Sequence, residues 1–177
     1  MQKALFLDRD GVVNVDTHYL YRIEDVVFVD GIFDLAKAAQ DKGYKIILVT
    51  NQAGIGRGKY TEDDFHILMD WMREQFEAQG ATIDGVYFCP NHPEKGIGKY
   101  KVGCNDRKPA PGMLIKAIEE YGLDPAQSIM VGDKASDLQA AQAAGVPTRI
   151  LIPTEYESEA EEATHVHESL IDIIELL

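Results

Sequence analysis

The 177-residue chain contains little cysteine, little positive charge and no long hydrophobic run. Two cysteines cannot build the disulfide framework that holds many small secreted domains together. The chain has 17 lysine and arginine residues and 30 aspartate and glutamate residues, which gives a formal net charge of −13. Because nucleic-acid binding requires the neutralisation of many phosphates, we expect no nucleic-acid partner. The negative net charge does not exclude a small phosphorylated ligand, because such a ligand needs only a few well-placed cations.

The hydrophobic segments are too short for a membrane span or a signal peptide. A span needs roughly 18 apolar residues or more, and the apolar run at the start of the chain ends at Asp8. These features predict a soluble, cytoplasmic protein with no membrane partner. No coiled-coil repeat demands association, so we expect a monomer. With 45% hydrophobic residues the chain can bury a core, and its length fits one domain spanning residues 1–177.

Short apolar runs alternate with amphipathic stretches along the chain. The runs have the composition of buried parallel strands and are Ala4–Leu7, Ile46–Val49, Val86–Phe88, Ile129–Val131 and Ile150–Ile152. The amphipathic stretches carry apolar residues at helical spacing and begin near Ile32, Thr61, Pro111, Asp137 and Ser169. This alternation predicts an α/β fold, doubly wound, with a mostly parallel sheet and helices on both faces.

Two segments without clear periodicity, residues 14–31 and 89–107, closely follow predicted strands. In open α/β sheets, ligands bind outside the carboxyl ends of the strands. We therefore expect these two loops to flank the functional site.

Acidic residues cluster where the predicted strands end. Asp8 and Asp10 close the first strand and point the same way, because residues i and i+2 of a strand share a face. Asp133 follows a later strand at the same predicted edge of the sheet. Carboxylates so close repel one another unless a cation relieves them, and Mg²⁺ prefers oxygen ligands. The sequence thus predicts a magnesium site at Asp8, Asp10 and Asp133. The alternative is that the first two merely cap the turn at Gly11.

The neighbouring residues suit the transfer of a phosphoryl group. An aspartate can attack phosphorus and form an aspartyl-phosphate that water later cleaves. Thr50 and Lys108 offer a hydroxyl and an ammonium to the phosphoryl oxygens. Asp10 can protonate the leaving oxygen and then activate the hydrolytic water. Taken singly, Thr50 is more often a helix cap and Lys108 a surface charge, so the prediction depends on their combination.

Together these motifs resemble the haloacid dehalogenase (HAD) superfamily of phosphotransferases. The resemblance is carried by Asp8-Arg9-Asp10-Gly11-Val12, by Thr50, by Lys108 and by the acidic motif Gly132-Asp133-Lys134-Ala135-Ser136-Asp137. Residues 6–14, 50–58 and 107–113 are further similar to the phosphatases that remove the 7-phosphate of D-glycero-D-manno-heptose 1,7-bisphosphate. The related histidinol-phosphatase domains share much of this pattern. The resemblance implies a HAD-like fold without a separate cap domain, so short loops must shape the pocket.

The resemblance also implies roles for individual residues. Asp8 would be the nucleophile and Asp10 the general acid/base. Asp8 and Asp133 would bind Mg²⁺ by their side chains, and Asp10 by its backbone carbonyl. Thr50 and Lys108 would steady the phosphoryl group.

Substrate recognition is expected mainly from Arg107 and from two loop segments. Arg57 is a candidate for a second phosphate or an ordinary surface arginine, and His18 is either a substrate contact or a solvated turn residue. The candidate substrate-binding residues are Asp16, Thr17, His18, Tyr19, Thr50, Asn51, Gln52, Ala53, Arg57, Arg107, Lys108 and Lys134.

A zinc-binding loop of the form Cys-x-His…Cys-x-Cys, typical of the family, is only half present. Cys89 and Cys104 stand at the first and third ligand positions, but Asn91 and Asp106 stand at the other two. His92 lies one residue beyond its usual place, and a carboxylate can bind zinc. A structural Zn²⁺ held by Cys89, His92, Cys104 and Asp106 is one expectation. An ordered, metal-free loop with two free thiols is the other.

Three functions follow from these residues. The first is a Mg²⁺-dependent phosphomonoesterase acting on a sugar bisphosphate such as the heptose bisphosphate. The second keeps the mechanism and acts on histidinol phosphate or another small phosphate ester. The third is a receiver-type signalling module, which accepts phosphate on an acidic residue beside Mg²⁺. Receivers carry that residue on a middle strand, whereas here the acidic pair opens the chain.

Overall fold

Six parallel strands form one sheet in the computed structural model, which describes residues 1–177. In chain order the strands are β1 (Lys3–Leu7), β2 (Tyr44–Asn51), β3 (Gly85–Cys89), β4 (Ile129–Gly132), β5 (Thr148–Leu151) and β6 (His165–Val166). Their spatial order is β3-β2-β1-β4-β5-β6. Leu5 on β1 pairs with Ile46 on one side and Ile129 on the other. Since every pairing is parallel, the carboxyl ends of all strands lie along one edge.

Helices cover both faces of this sheet. They are α1 (Ile32–Asp41), α2 (Ala53–Gly56), α3 (Glu62–Ala78), α4 (Gly112–Tyr121), α5 (Ala135–Ala143) and α6 (Leu170–Ile173). Leu5 and Leu7 of β1 lie in a core built with α1, α3 and α6, whereas Phe6 lies in a smaller core built with α4 and α5. The predicted doubly wound α/β fold is confirmed. None of the helices has the length and hydrophobicity needed to cross a membrane.

Local sequence signals explain where the helices begin and end. Thr61 caps α3 as predicted: its hydroxyl accepts a hydrogen bond from the Asp64 N–H at 3.1 Å, and the Asp64 carboxylate accepts one from the Thr61 N–H at 3.0 Å. Gly122 ends α4 in the left-handed region, with φ +59°.

The structure differs from the sequence prediction around the second strand. This strand was predicted over Ile46–Val49, but β2 extends through Asn51, so Thr50 and Asn51 belong to it. The short helix α2, which was not predicted, follows almost at once. Four residues are too few for a periodic pattern to stand out. The functional residues after β2 are therefore held by regular structure.

Candidate active site

A cavity of about 480 Å³ opens at the carboxyl edge of the sheet. Its walls come from the ends of β1 and β2, from the starts of α2 and α5, and from both loops that lack periodicity in the sequence. The lining residues are Asp8, Asp10, Asp16, His18, Tyr19, Asn51, Gln52, Ala53, Gly54, Tyr60, Arg107, Lys108, Pro109, Lys134, Ser136 and Asp137.

Asp8 and Lys108 form a buried ion pair in this cavity. The Lys108 Nζ atom lies 3.0 Å from Asp8 Oδ1 and 2.6 Å from Asp137 Oδ1, and it donates a hydrogen bond to the Val49 carbonyl at 2.8 Å. Burial alone would lower the pKa of Lys108, but the charges of Asp137 and Asp8 outweigh it and raise that pKa. The ammonium therefore stays charged beside the carboxylate of Asp8.

Asn51 holds the backbone of Lys108 in place. Its side-chain oxygen accepts a hydrogen bond from the Lys108 N–H at 3.0 Å, and its amide donates to the Lys108 carbonyl at 3.1 Å. These two bonds tie the loop before α4 to the end of β2, so that the lysine can reach Asp8.

Three buried carboxylates converge beside this ion pair. One oxygen from each of Asp8, Asp133 and Asp137 lies within 4.8 Å of the others. Burial, and then the charge of Asp137, raises the pKa of Asp8 and raises that of Asp133 to about 6. The Oδ1 atom of Asp133 is buried and has no hydrogen-bond partner. Crowded carboxylates with an unpaired oxygen fit a hard divalent cation such as Mg²⁺.

Gly11 leaves room for this cluster. A Cβ atom at this position would lie 2.1 Å from Asp133 Oδ2, and the φ of Gly11 is +89°. Any side chain here would therefore meet the carboxylate and strain the backbone.

Asp10 lies apart from the carboxylate cluster. The Oδ1 atom of Asp10 accepts hydrogen bonds from Arg9 and Asn14, and its Oδ2 atom accepts one from Gln52. The structure thus brings together Asp8 and Asp133 as the sequence predicts, but the third carboxylate is Asp137. The Asp10 carboxylate is held by neighbouring side chains, and its backbone carbonyl is the group that the resemblance assigns to a cation.

Most of the candidate substrate-binding residues line the cavity, and three do not. Thr50 is fully buried behind the lining, where its hydroxyl accepts a hydrogen bond from Gln52 at 2.9 Å. Thr17 is exposed outside the cavity. The Arg57 guanidinium donates a hydrogen bond to the Tyr19 hydroxyl and so supports a cavity wall from outside.

The four candidate zinc ligands do not converge, so the zinc prediction is not supported. Cys89 Sγ and Cys104 Sγ lie 3.4 Å apart. His92 Nδ1 accepts hydrogen bonds from two backbone N–H groups that follow it, and the Asp106 carboxylate pairs with Lys116 at 2.5 Å. No three ligand atoms of this set lie within 4.8 Å of one another, whereas zinc ligands sit about 2.0–2.3 Å from the metal.

Asn91 links the cysteine loop to Arg107 through two hydrogen bonds. Its side-chain amide donates to Cys104 Sγ at 3.5 Å, and its backbone carbonyl accepts from Arg107 Nη1 at 3.3 Å. Arg107 is in this way held at the cavity wall by hydrogen bonds.

Sequence reasoning missed two residues of the site. Asp137 ends the acidic motif but was assigned no role in the site, although its spacing of four from Asp133 places it on the first turn of α5. Tyr60 lies two residues beyond the 50–58 segment, and no local signal marks it as part of the site. Its hydroxyl donates a hydrogen bond to Gln52, which in turn contacts Asp10.

Comparisons with known proteins agree with this geometry. A family model described as HAD-hydrolase-like matches residues 105–173. The D-glycero-alpha-D-manno-heptose-1,7-bisphosphate 7-phosphatase of Burkholderia mallei (strain ATCC 23344) is 60% identical over 150 residues, which cover 85% of this chain and 79% of that protein. The D-glycero-beta-D-manno-heptose-1,7-bisphosphate 7-phosphatase of Haemophilus ducreyi (strain 35000HP / ATCC 700724) is 46% identical over 98% of this chain and 97% of that protein.

A solved structure shares the whole fold. The D,D-heptose 1,7-bisphosphate phosphatase from B. bronchiseptica, complexed with magnesium and phosphate, matches with a TM-score of 0.85 at 30% identity. The match covers 99% of this chain and 97% of that one. The parallel sheet, its acidic carboxyl edge and these matches define a hydrolase of the HAD superfamily. Within it, the chain belongs to the D-glycero-D-manno-heptose-1,7-bisphosphate 7-phosphatase family and is a phosphatase. The receiver-type alternative is therefore not supported.

Proposed function

We propose that this phosphatase removes the 7-phosphate of D-glycero-D-manno-heptose 1,7-bisphosphate through an aspartyl-phosphate on Asp8. The observation that carries the proposal is the buried Asp8 carboxylate, 3.0 Å from Lys108 and next to two further carboxylates at a polar cavity. The names of the relatives at 60% and 46% identity support the choice of substrate.

The reaction runs in two displacements. A carboxylate oxygen of Asp8 attacks the phosphorus, the bond from phosphorus to the sugar oxygen breaks, and Asp10 gives that oxygen a proton. Asp10 then takes a proton from water, which attacks the phosphorus and releases inorganic phosphate from Asp8. Lys108 stays charged and holds a phosphoryl oxygen throughout. The Thr50 hydroxyl, which lies directly behind the cavity lining, would help to steady the phosphoryl group.

Magnesium would be held by the side chains of Asp8 and Asp133 and the backbone carbonyl of Asp10. When bound, it supplies positive charge to the phosphoryl oxygens. Asp137 keeps Lys108 oriented toward Asp8, because the Lys108–Asp137 contact of 2.6 Å is the shorter of its two ion pairs.

The rest of the substrate would be bound by Arg107 and Lys134, which line the same cavity. These two cations suit the second phosphate of a bisphosphate. Asp16 and His18 on the opposite loop would contact the sugar hydroxyls, since carboxylate and imidazole groups accept and donate hydrogen bonds.

A phosphate-release assay with Mg²⁺ tests the proposal. The substrates are both anomers of the heptose 1,7-bisphosphate, histidinol phosphate and simple sugar monophosphates. We expect the highest kcat/KM on a heptose bisphosphate, about 10-fold or more above histidinol phosphate, because only the bisphosphate engages both ends of the cavity. An equal or higher kcat/KM on histidinol phosphate would contradict the choice of the heptose bisphosphate as substrate. If the protein were phosphorylated once and released no phosphate, the proposed hydrolytic step would be wrong.

Magnesium is expected to stabilise the protein, and more strongly at pH 7.5 than at pH 5. At 100 times its dissociation constant, a ligand adds about 2.7 kcal/mol, which raises the Tm of a protein this size by roughly 5–10 °C. The raised pKa of Asp133, to about 6, means that the metal-free fold binds protons more readily than the unfolded chain. The stability of the metal-free protein therefore falls as pH rises from about 4 to about 6. Above about pH 6, Mg²⁺ reverses that loss, because it binds the ionised carboxylates.

Thermal unfolding with and without Mg²⁺ at the two pH values measures this effect. Asp133→Asn should abolish the Mg²⁺-dependent shift, whereas the matched control Asp70→Asn, at an exposed position on α3, should keep it. A shift of full size in Asp133→Asn would contradict the proposed ligand set.

Replacement of Arg107 by alanine should weaken substrate binding more than it slows the chemistry. Arg107 lines the cavity but lies outside the cluster around Asp8, so it contacts the substrate rather than the reacting group. We expect kcat/KM on the bisphosphate to fall about 10- to 100-fold, mostly through KM. Activity on a monophosphate should change less. Steady-state kinetics on both substrates check this, and an unchanged kcat/KM on the bisphosphate would exclude Arg107 from the binding site.

A further inference from the structure

We propose that Tyr60 and Gln52 act as positioning residues that orient the carboxyl group of Asp10 for proton transfer to the leaving oxygen. The inference rests on the proposed function, in which Asp10 is the general acid. Gln52 contacts Asp10, and Tyr60 contacts Gln52 from the side away from Asp10. Tyr60 belongs to none of the sequence motifs.

The two oxygens of Asp10 are in different surroundings. Oδ1 accepts three hydrogen bonds, from Arg9 Nε at 3.2 Å, Arg9 Nη2 at 3.0 Å and Asn14 Nδ2 at 3.0 Å. A carboxylate oxygen has about two lone pairs, so Oδ1 is fully occupied. Oδ2 accepts one hydrogen bond, from Gln52 Nε2 at 3.2 Å. Oδ2 is therefore the oxygen that carries the transferable proton.

Gln52 faces Asp10 with its donor side only. Its Nε2 group donates to Asp10 Oδ2 and, at 2.9 Å, to Thr50 Oγ1. An NH₂ group cannot accept a hydrogen bond, so a proton on Oδ2 has no acceptor there and points toward the leaving oxygen. The same amide connects the proposed acid to the residue that steadies the phosphoryl group.

Tyr60 fixes which way the Gln52 amide points. Its hydroxyl donates a hydrogen bond to Gln52 Oε1. Burial raises the pKa of Tyr60, so that its hydroxyl remains a donor across the working pH range. Without this bond, the amide would be free to turn its oxygen toward the Asp10 carboxylate.

The Tyr60 ring itself is rigidly packed. It is 7% exposed and stacks on Tyr21 with ring centroids 5.5 Å apart and planes 8° apart. A Cβ atom at Gly54 would lie 2.4 Å from this ring, so the turn of α2 closes on it directly. The hydroxyl is thus held at one place beneath Gln52.

The Tyr60→Phe variant tests this arrangement, because it keeps the ring and removes only the hydroxyl. The enzyme is assayed with Mg²⁺ on two substrates that differ in their leaving group. The sugar alkoxide of the heptose bisphosphate needs a proton to leave, whereas the phenolate of p-nitrophenyl phosphate leaves without one. Since kcat/KM reports the step in which this bond breaks, it isolates the action of the acid.

We expect kcat/KM on the sugar substrate to fall about 10-fold or more, part of the 10²- to 10⁴-fold effect of general acid catalysis. On p-nitrophenyl phosphate it should stay within about 2-fold of the wild type. An equal fall on both substrates would assign Tyr60 a merely structural role and overturn the inference. No fall on either substrate would overturn it as well.

Two further variants complete the experiment. In the background of Asp10→Asn, which removes the acid, Tyr60→Phe should have no additional effect on the sugar substrate, because both changes act through one group. Tyr21→Phe removes the hydroxyl from the neighbouring stacked ring and should leave both activities unchanged. If the wild type prefers another sugar phosphate, the proposed substrate fails, but the same comparison on that alkyl phosphate still decides the role of Tyr60.

Discussion

The Asp8→Asn variant is expected to lose turnover by about 10⁴-fold or more, the scale of effect seen when a covalent nucleophile is removed. Asparagine has nearly the same shape as aspartate but lacks the anionic oxygen that attacks phosphorus. Lys108 keeps its second partner, because its Nζ atom also lies 2.6 Å from Asp137. The lysine should therefore remain in place while the reaction stops.

The fold should survive this substitution. Burial, and then the charge of Asp137, raises the pKa of Asp8, which means that the ionised carboxylate is unfavourable where it lies. Removing one of three crowded negative charges should leave the Tm of the metal-free protein unchanged or higher. A large drop in Tm would show that the Asp8–Lys108 pair is needed for folding and would confound the loss of activity.

Phosphate release and acid-quench labelling measure the effect of Asp8→Asn. Wild-type protein mixed with labelled substrate and Mg²⁺ should yield an acid-stable, base-labile aspartyl-phosphate, and the variant should yield none. The exposed Asp70→Asn serves as the matched control and should retain full turnover. Turnover of Asp8→Asn at the wild-type rate would end the assignment of Asp8 as the nucleophile.

The sheet and the acidic edge could be predicted from the sequence because both depend on local patterns. Apolar runs bounded by Gly, Asp or Asn indicate buried strands. Residues that follow parallel strands lie at one edge of the sheet, independently of the conformation of the loops between the strands. Asp8 and Asp133 are the clearest case. They are 125 positions apart in the chain, yet the pairing of β1 with β4 brings their carboxylates together.

The details of the site depend on side-chain geometry that no local pattern encodes. Asp8 and Asp10 line the same cavity, as the sequence suggests. However, the Asp10 carboxylate accepts hydrogen bonds from Arg9 and Gln52 and lies outside the carboxylate cluster. Asp137 enters the site because the first turn of α5 faces β4. The zinc alternative lacks support for the same reason, since ligand spacing in the chain does not determine where side chains point.

The Lys108→Met variant should lose both activity and stability. Methionine fills a similar volume without charge, so the phosphoryl oxygens lose a cation, which costs about 10²- to 10³-fold in kcat. The carboxylates of Asp8 and Asp137 then remain buried without the ammonium that pairs directly with both of them. Removing one member of a buried ion pair costs about 3–5 kcal/mol, so unfolding in urea should occur at a clearly lower concentration.

This loss of stability should depend on pH in a defined direction. Without the ammonium, the pKa of Asp8 rises further above its value in the unfolded chain, so the folded state binds more protons than the unfolded state. Stability then falls as pH rises above about 4, and the deficit relative to wild type should be small near pH 4 and full near pH 8. Urea unfolding of both proteins without Mg²⁺ at these two pH values measures it.

An exposed ion pair supplies the matched control for Lys108→Met. Lys116 lies 2.5 Å from Asp106, but its side chain is 57% exposed. Water already solvates such a pair, so Lys116→Met should cost about 1 kcal/mol or less at either pH. Equal stability of the two methionine variants at pH 8 would mean that Lys108 does not neutralise the buried carboxylates.

The double variant Lys108→Met/Asp137→Asn separates the two roles of the lysine. Removing the carboxylate of Asp137 relieves the repulsion that Lys108→Met creates, so part of the lost stability at pH 8 should return. Turnover should not return, since the ammonium that holds a phosphoryl oxygen is missing from both variants. Recovery of stability without recovery of kcat would show that the Lys108 ammonium has two roles. It neutralises the buried carboxylates in the folded protein, and it stabilises the negative charge on the phosphoryl oxygens during the reaction.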